Sequence, residues 1–142
     1  MNRKAIIQIA TTQVNNLSNE EETIELITEG DFYEEEGSFR LVYDETEISG
    51  LKGTTTTLNV QGEKVVMSRS GNASSIMEFE KGKKHKTVYD TEFGSMYMEM
   101  STTKVDVSLK KDPLSIDIRI DYDIIVKNMF EGKNRMYIKV KQ

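Results

Sequence analysis

Apolar and polar residues alternate along almost the whole chain. The clearest run is Leu114, Ile116, Ile118, Ile120, Tyr122, Ile124 and Val126, set against Ser115, Asp117, Arg119, Asp121 and Asp123. A period of two belongs to a strand with one buried and one wet face. The same pattern appears in Ala5, Ile7 and Ile9 within a first strand over Arg3 to Val14, in Ile24, Leu26 and Thr28 within a second over Thr23 to Tyr33, and in Phe39, Leu41 and Tyr43 within a third over Ser38 to Thr46. Glu45 continues the inward face of that third strand. Further strands follow over Ser74 to Phe79, Lys84 to Thr91, Ser95 to Leu109, and around Met136, Ile138 and Val140. In the long stretch from Ser95 the apolar parity switches between Met100 and Val105, which predicts a bulge near Ser101 to Thr103. Gly30, inside the second strand, predicts a bulge or bend.

The most informative stretch is Ile48 to Lys83. Thr54 to Val60 reads as a strand, because threonine is β-branched and suits a pleated surface. Gly62 marks a hairpin turn, and Val65 to Arg69 is the return strand. With Gln61–Gly62 as the loop, Leu58 faces Val65, Thr56 faces Met67 and Thr54 faces Arg69. A Gly62–Glu63 loop changes the partners but not the faces. In either register Val60, Leu58, Thr56, Thr54, Val65, Met67 and Arg69 share one side. Ser49 to Gly53 reads as the loop before this hairpin.

Nine or ten strands, short turns and no helical period predict an all-β, single-domain, antiparallel up-and-down barrel. Closure would also remove the exposed edges that make such a chain prone to aggregate.

Composition narrows the function classes. The chain has 142 residues, enough for one domain with a real core. Net charge is −5, and no basic stripe suggests nucleic-acid binding. There is no cysteine and one histidine, His85, so thiolate and multi-histidine metal sites are excluded. The N-terminal apolar run is too short and polar for a signal peptide, and no run is long enough to cross a membrane as a helix. A cytoplasmic protein without cofactor, nucleic-acid or membrane contact is the expectation. A small-molecule ligand and a homodimer are the partners left open.

Several pieces resemble a known family. SGLKGTTTTL (Ser49 to Leu58), RSG (Arg69 to Gly71), the Met-x-Phe strand (Met77 to Phe79) and YDTEFG (Tyr89 to Gly94) resemble the YwiB-like family of bacterial proteins, whose function is unassigned. The likeness spans almost the whole chain. It implies a calycin-type, lipocalin-like barrel and no particular activity. The Gly-x-Trp signature of lipocalins is absent, since the chain has no tryptophan.

Arg69 is the sharpest candidate residue. A guanidinium facing Leu58, Val65 and Met67 needs a partner if buried. It is an anchor for an anionic ligand, a member of an internal ion pair with Glu45 or another inward carboxylate, or an arginine at the barrel mouth in water. Thr54 and Thr56 share its face and are candidate hydrogen-bonders. Tyr43 and Tyr89 have apolar bodies and polar tips, as do Tyr97 and Tyr122, and suit a pocket or a packed core equally. Glu45 and Glu99 are the candidate acid–base carboxylates, though nothing in the sequence brings them together. The Met96, Met98 and Met100 stripe reads as core packing. His85 reads as exposed among the lysines of an edge strand. No phosphate loop, nucleophile elbow or metal spacing appears, so catalysis is unsupported. The functional expectation is a barrel that binds a small, partly apolar or anionic ligand in a cavity of roughly a few hundred cubic ångströms open at one end. The alternative is a filled barrel that serves as a structural or protein–protein interaction module.

Overall fold

The computed structural model describes residues 2–46 and 52–142. Ten strands follow in order: β1 (Asn2–Asn15), β2 (Glu21–Glu35), β3 (Ser38–Asp44), β4 (Thr54–Gln61), β5 (Lys64–Gly71), β6 (Ala73–Glu80), β7 (Lys84–Thr91), β8 (Gly94–Lys111), β9 (Leu114–Val126) and β10 (Phe130–Lys141). Each pairs antiparallel with its sequence neighbours, and β10 returns to β1, so the sheet closes into an up-and-down barrel. No described residue is helical. Part of the predicted loop at Ser49 to Gly53 lies outside the described residues.

Alternation decides what fills the barrel. Ala5, Ile7 and Ile9 of β1, Phe39, Leu41 and Tyr43 of β3, and Leu114 to Ile124 at every second position of β9 are buried, while their sequence neighbours face water or lie at the surface. The inner residues form one continuous core. Phe79 packs on Tyr122 from across the barrel, with ring centroids 4.8 Å apart. Burial of this apolar surface is the main favourable term holding the wall closed.

The bulge lies where the parity of β8 switches, with a register shift between Thr102 and Lys104. Gly30 has a different role from the one predicted. It sits in continuous pairing with Ala5, and a β-carbon there would meet Ile7 Cδ1 at 2.5 Å and the Val42 carbonyl oxygen at 2.6 Å. Glycine is needed for close approach, not for a bend.

The β4–β5 hairpin uses the Gly62–Glu63 loop. Gly62 has φ of +60°, and the pairs are Val60–Val65, Leu58–Met67, Thr56–Arg69 and Thr54–Gly71. The partners are therefore those of the second register, and the inward face is the one common to both.

One seam in the wall is incomplete. β6 pairs with β7 only at Ala73–Thr91 and Ser74–Asp90. β7 instead follows β8 through eight consecutive pairs, from Thr91–Gly94 to Lys84–Ser101. The turn before β7 continues this pairing along β8, with Thr102 N–H donating to the Lys83 carbonyl and Gly82 N–H to the Thr102 carbonyl. The inward residues of β7 are His85, Thr87, Tyr89 and Thr91, only half-buried, and of these only the aromatic Tyr89 packs against the core.

Candidate functional site

The β3 to β6 ladders set four inner residues in a row. Tyr43 pairs with Thr56, Thr56 with Arg69, and Arg69 with Ser75. Glu45 lies just beyond β3, its N–H donating to the Thr54 carbonyl, so the ladder carries its side chain inward too. Glu45 Oε1 accepts the Thr56 hydroxyl at 2.6 Å and stands 3.7 Å from Arg69 Nε. The carboxylate side chain is 2 % exposed and the guanidinium side chain 17 %. Of the readings the sequence left open for Arg69, the structure holds the ion pair with Glu45.

Thr54 serves a neighbouring turn: its hydroxyl accepts the Ala73 N–H at 3.1 Å and ties β6 to β4. Tyr89 lies across the incomplete seam. Burial raises the phenol pKa of Tyr89 above its ordinary value, and the fields of Arg69 and Glu45 reach it with opposite signs. Tyr43 is pushed up much further, first by burial and then by the Glu45 carboxylate, with Arg69 opposing. Both phenols are neutral hydrogen-bonding groups near neutral pH. The six predicted residues therefore share one end of the barrel, and four of them, Tyr43, Glu45, Thr56 and Arg69, form a direct contact set in which the Tyr43 phenol hydrogen-bonds with Thr56 and Glu45.

The sequence reading passed over Ser75. It is 4 % exposed, and its hydroxyl has no hydrogen-bond partner among the described residues. Arg69 Nε is likewise buried without one. The parity of Ser75 with Met77 and Phe79 was the available signal. His85 also departs from expectation. In a closed barrel β7 is not an edge; His85 faces inward, with Nε2 3.1 Å from the Ile76 carbonyl oxygen and Nδ1 3.1 Å from Glu78 Oε2. Its imidazole bridges the seam where backbone pairing is missing. Glu99 lies on the outer side of β8 beside Lys84, far from Glu45 in the ladder order, so no carboxylate pair forms between them.

The opposite end of the barrel holds a cavity lined by none of the six predicted residues. It has a volume of about 660 Å³, and its walls include Phe39, Val60, Val107 and Leu109. Glu34, Glu35, Glu36 and Lys111 form its polar rim, where Lys111 pairs with Glu34 across the mouth. None of five clefts on the described surface has Arg69 in its wall. Among the described residues, no group of three or more acidic, histidine or cysteine side chains is placed to hold a metal ion.

Comparison with known proteins agrees with this architecture. The sequence matches the family described as Domain of unknown function (DUF1934) over residues 7–138. The chain belongs to that family. Its fold is similar to the crystal structure of the ywiB protein from Bacillus subtilis, with a TM-score of 0.86 at 22 % identity over 99 % of this chain and 92 % of that one. No curated protein matches. DUF1934 membership and the barrel are thus established together. The family description carries no activity, so the site is argued from its own geometry.

Proposed function

We propose that this DUF1934 chain is a binding protein for a small, partly apolar molecule held in the barrel mouth between Phe39, Val60, Val107 and Leu109. The cavity of about 660 Å³ carries this reading. Its size is that of ordinary small-molecule sites, and it joins apolar walls to a few charged rim groups. Ligand carriage by lipocalin-like barrels adds support by fold analogy alone. In this reading the protein works in the cytoplasm; no helix of the described residues is long and apolar enough to cross a membrane.

Native mass spectrometry of protein purified from its own host tests the proposal directly, because it reports ligand mass and oligomeric state together. Anilinonaphthalene sulfonate is a suitable apolar probe in vitro. Val107→Trp, which fills the mouth from a half-buried position, should abolish probe binding while leaving the fold intact. A ligand-free native protein whose probe binding survives Val107→Trp would overturn the reading.

A second reading has its own observation. Val88, Tyr97 and Ile125 lie exposed on the outer side of β7, β8 and β9 and line a groove of about 480 Å³ together with Lys86, Glu99 and Lys127. Lys86 and Glu99 are direct cross-strand partners. A patch carrying both charges is self-complementary, as a two-fold homodimer requires. Sedimentation of the wild type and Tyr97→Glu separates the two: a dimer lost in the variant favours this reading, and a wild-type monomer removes it.

A further inference from the structure

One ion pair spans the mouth cavity. Glu34 is the cross-strand partner of Phe39, and Lys111 of Leu114, so both side chains lie on the inner face of the wall. In the barrel order β2 and β8 are separated by β1, β10 and β9, so the contact of Lys111 Nζ with Glu34 Oε2 reaches across the opening and not along the sheet. The two partners are not held alike. The Glu34 side chain is 30 % exposed and the Lys111 side chain 54 %. Arg3 donates to the Lys111 carbonyl at 3.0 Å, which fixes the backbone and leaves the ammonium on a flexible four-carbon stem.

The charge left at the rim is negative. Glu35 is offset by Arg40, 3.4 Å away, and Arg3 by Asp112, 3.9 Å away. Glu36, in the adjoining turn, is exposed and pairs with no cation among the described residues. Glu34 and Glu36 therefore face a single lining cation, Lys111. An apolar chamber ringed by surplus carboxylate draws cations in and turns anions away.

From this arrangement we infer that the mouth cavity takes an aliphatic amine, with its apolar tail between the walls and its ammonium in the place of Lys111 on Glu34. The inference rests on the cavity-binding reading above and adds the class of ligand. A primary ammonium offers the same three N–H donors as Lys111, so the exchange keeps the chemistry of the pair and releases the lysine into water. Burial of the tail then supplies the net gain. The mirror exchange, a carboxylate displacing Glu34 from Lys111, moves the less exposed partner and adds negative charge to a rim that already has it in excess.

The test is a titration of the whole chain at neutral pH with octylamine, 1-octanol and octanoate at one ionic strength, followed through the methyl resonances of Val60, Val107 and Leu109. Octylamine should bind most tightly and octanoate most weakly, and the gap should narrow with added salt. Lys111→Gln removes the competing ammonium and should tighten octylamine binding about two- to fivefold, the range of one partly exposed ion pair, with octanol unchanged. Glu34→Gln should abolish the preference for octylamine over octanoate and also leave octanol unchanged. The sulfonate of anilinonaphthalene sulfonate opposes the rim charge, so that probe reads the walls through its rings and should bind more tightly in Glu34→Gln. Shifts with none of the three octyl probes overturn the cavity reading and the amine with it. Octanol binding accompanied by equal affinities for octylamine and octanoate keeps the cavity reading and overturns the amine class. Octylamine binding that is unchanged or weaker in Lys111→Gln overturns the exchange on Glu34.

Discussion

Inside the barrel wall the Thr56 hydroxyl donates to Glu45 Oε1 across 2.6 Å. Both side chains are buried, so this bond helps to keep an ionised carboxylate in an apolar interior. Thr56→Val keeps the shape and removes the donor. Hydrogen bonds to charged groups contribute about 1.5–3 kcal/mol. The urea midpoint should fall correspondingly with an unchanged slope, while Thr57→Val, on the outer face of the same strand, should change stability little.

Alkaline pH should weaken the fold through Tyr43. Burial, reinforced by Glu45, raises its pKa far above the ordinary value of about 10. Between those two values the native state keeps a proton that the unfolded chain has released. Stability from this source is intact below about pH 10 and is lost as pH rises toward the folded value. Urea unfolding measured from about pH 8 to about pH 11 should show a steeper decline for the wild type than for Tyr43→Phe. A tyrosinate absorbance titration should show that the buried phenols of Tyr43 and Tyr122 ionise later than the exposed ones.

Gly30→Ala places a methyl group against Ile7 Cδ1 and the Val42 carbonyl oxygen. The side chain of Ile7 can adjust, but the carbonyl belongs to the wall and cannot. Overpacking of this kind costs about 1–3 kcal/mol. The expected result is a lower thermal midpoint. Gly37→Ala, where a β-carbon meets nothing within 4 Å, should be milder and limited to backbone strain at φ +78°.

The seam should be the least protected part of the wall. His85→Ala removes the side-chain contact to the Ile76 carbonyl and to Glu78. Hydrogen exchange followed by mass spectrometry should show faster exchange in the Ser75–Glu80 segment of the variant. Global stability should drop by only about 0.5–1.5 kcal/mol, the usual net worth of one such bond. Uniform acceleration around the whole barrel would show that the seam is not a separate opening unit.

Much of this architecture was legible in the residue pattern. Leu114 to Val126 announces a half-buried strand because every second residue is apolar, and the parity switch in β8 betrays its bulge at Thr102. The inward set around Arg69 was legible too, since shifting the hairpin loop by one residue at each strand exchanges partners without turning side chains over. The partners themselves were not legible, because both Gln61–Gly62 and Gly62–Glu63 place glycine in a hairpin loop.

Ser75 and His85 were obscure for a different reason. Whether a buried hydroxyl finds a partner, or an imidazole spans a gap, depends on strands that local periodicity cannot align.

What the sequence determined by itself was the set of strands, their inward faces and the placement of a guanidinium on one of them. These follow from side-chain alternation, which is local. What only the tertiary structure decided was the closure of β10 on β1, the 3.7 Å approach of Glu45 to Arg69, the break between β6 and β7, and the cavity between Phe39 and Leu109 at the far mouth. Each joins residues distant in sequence, and their positions are set by how ten twisted strands close on one shared core.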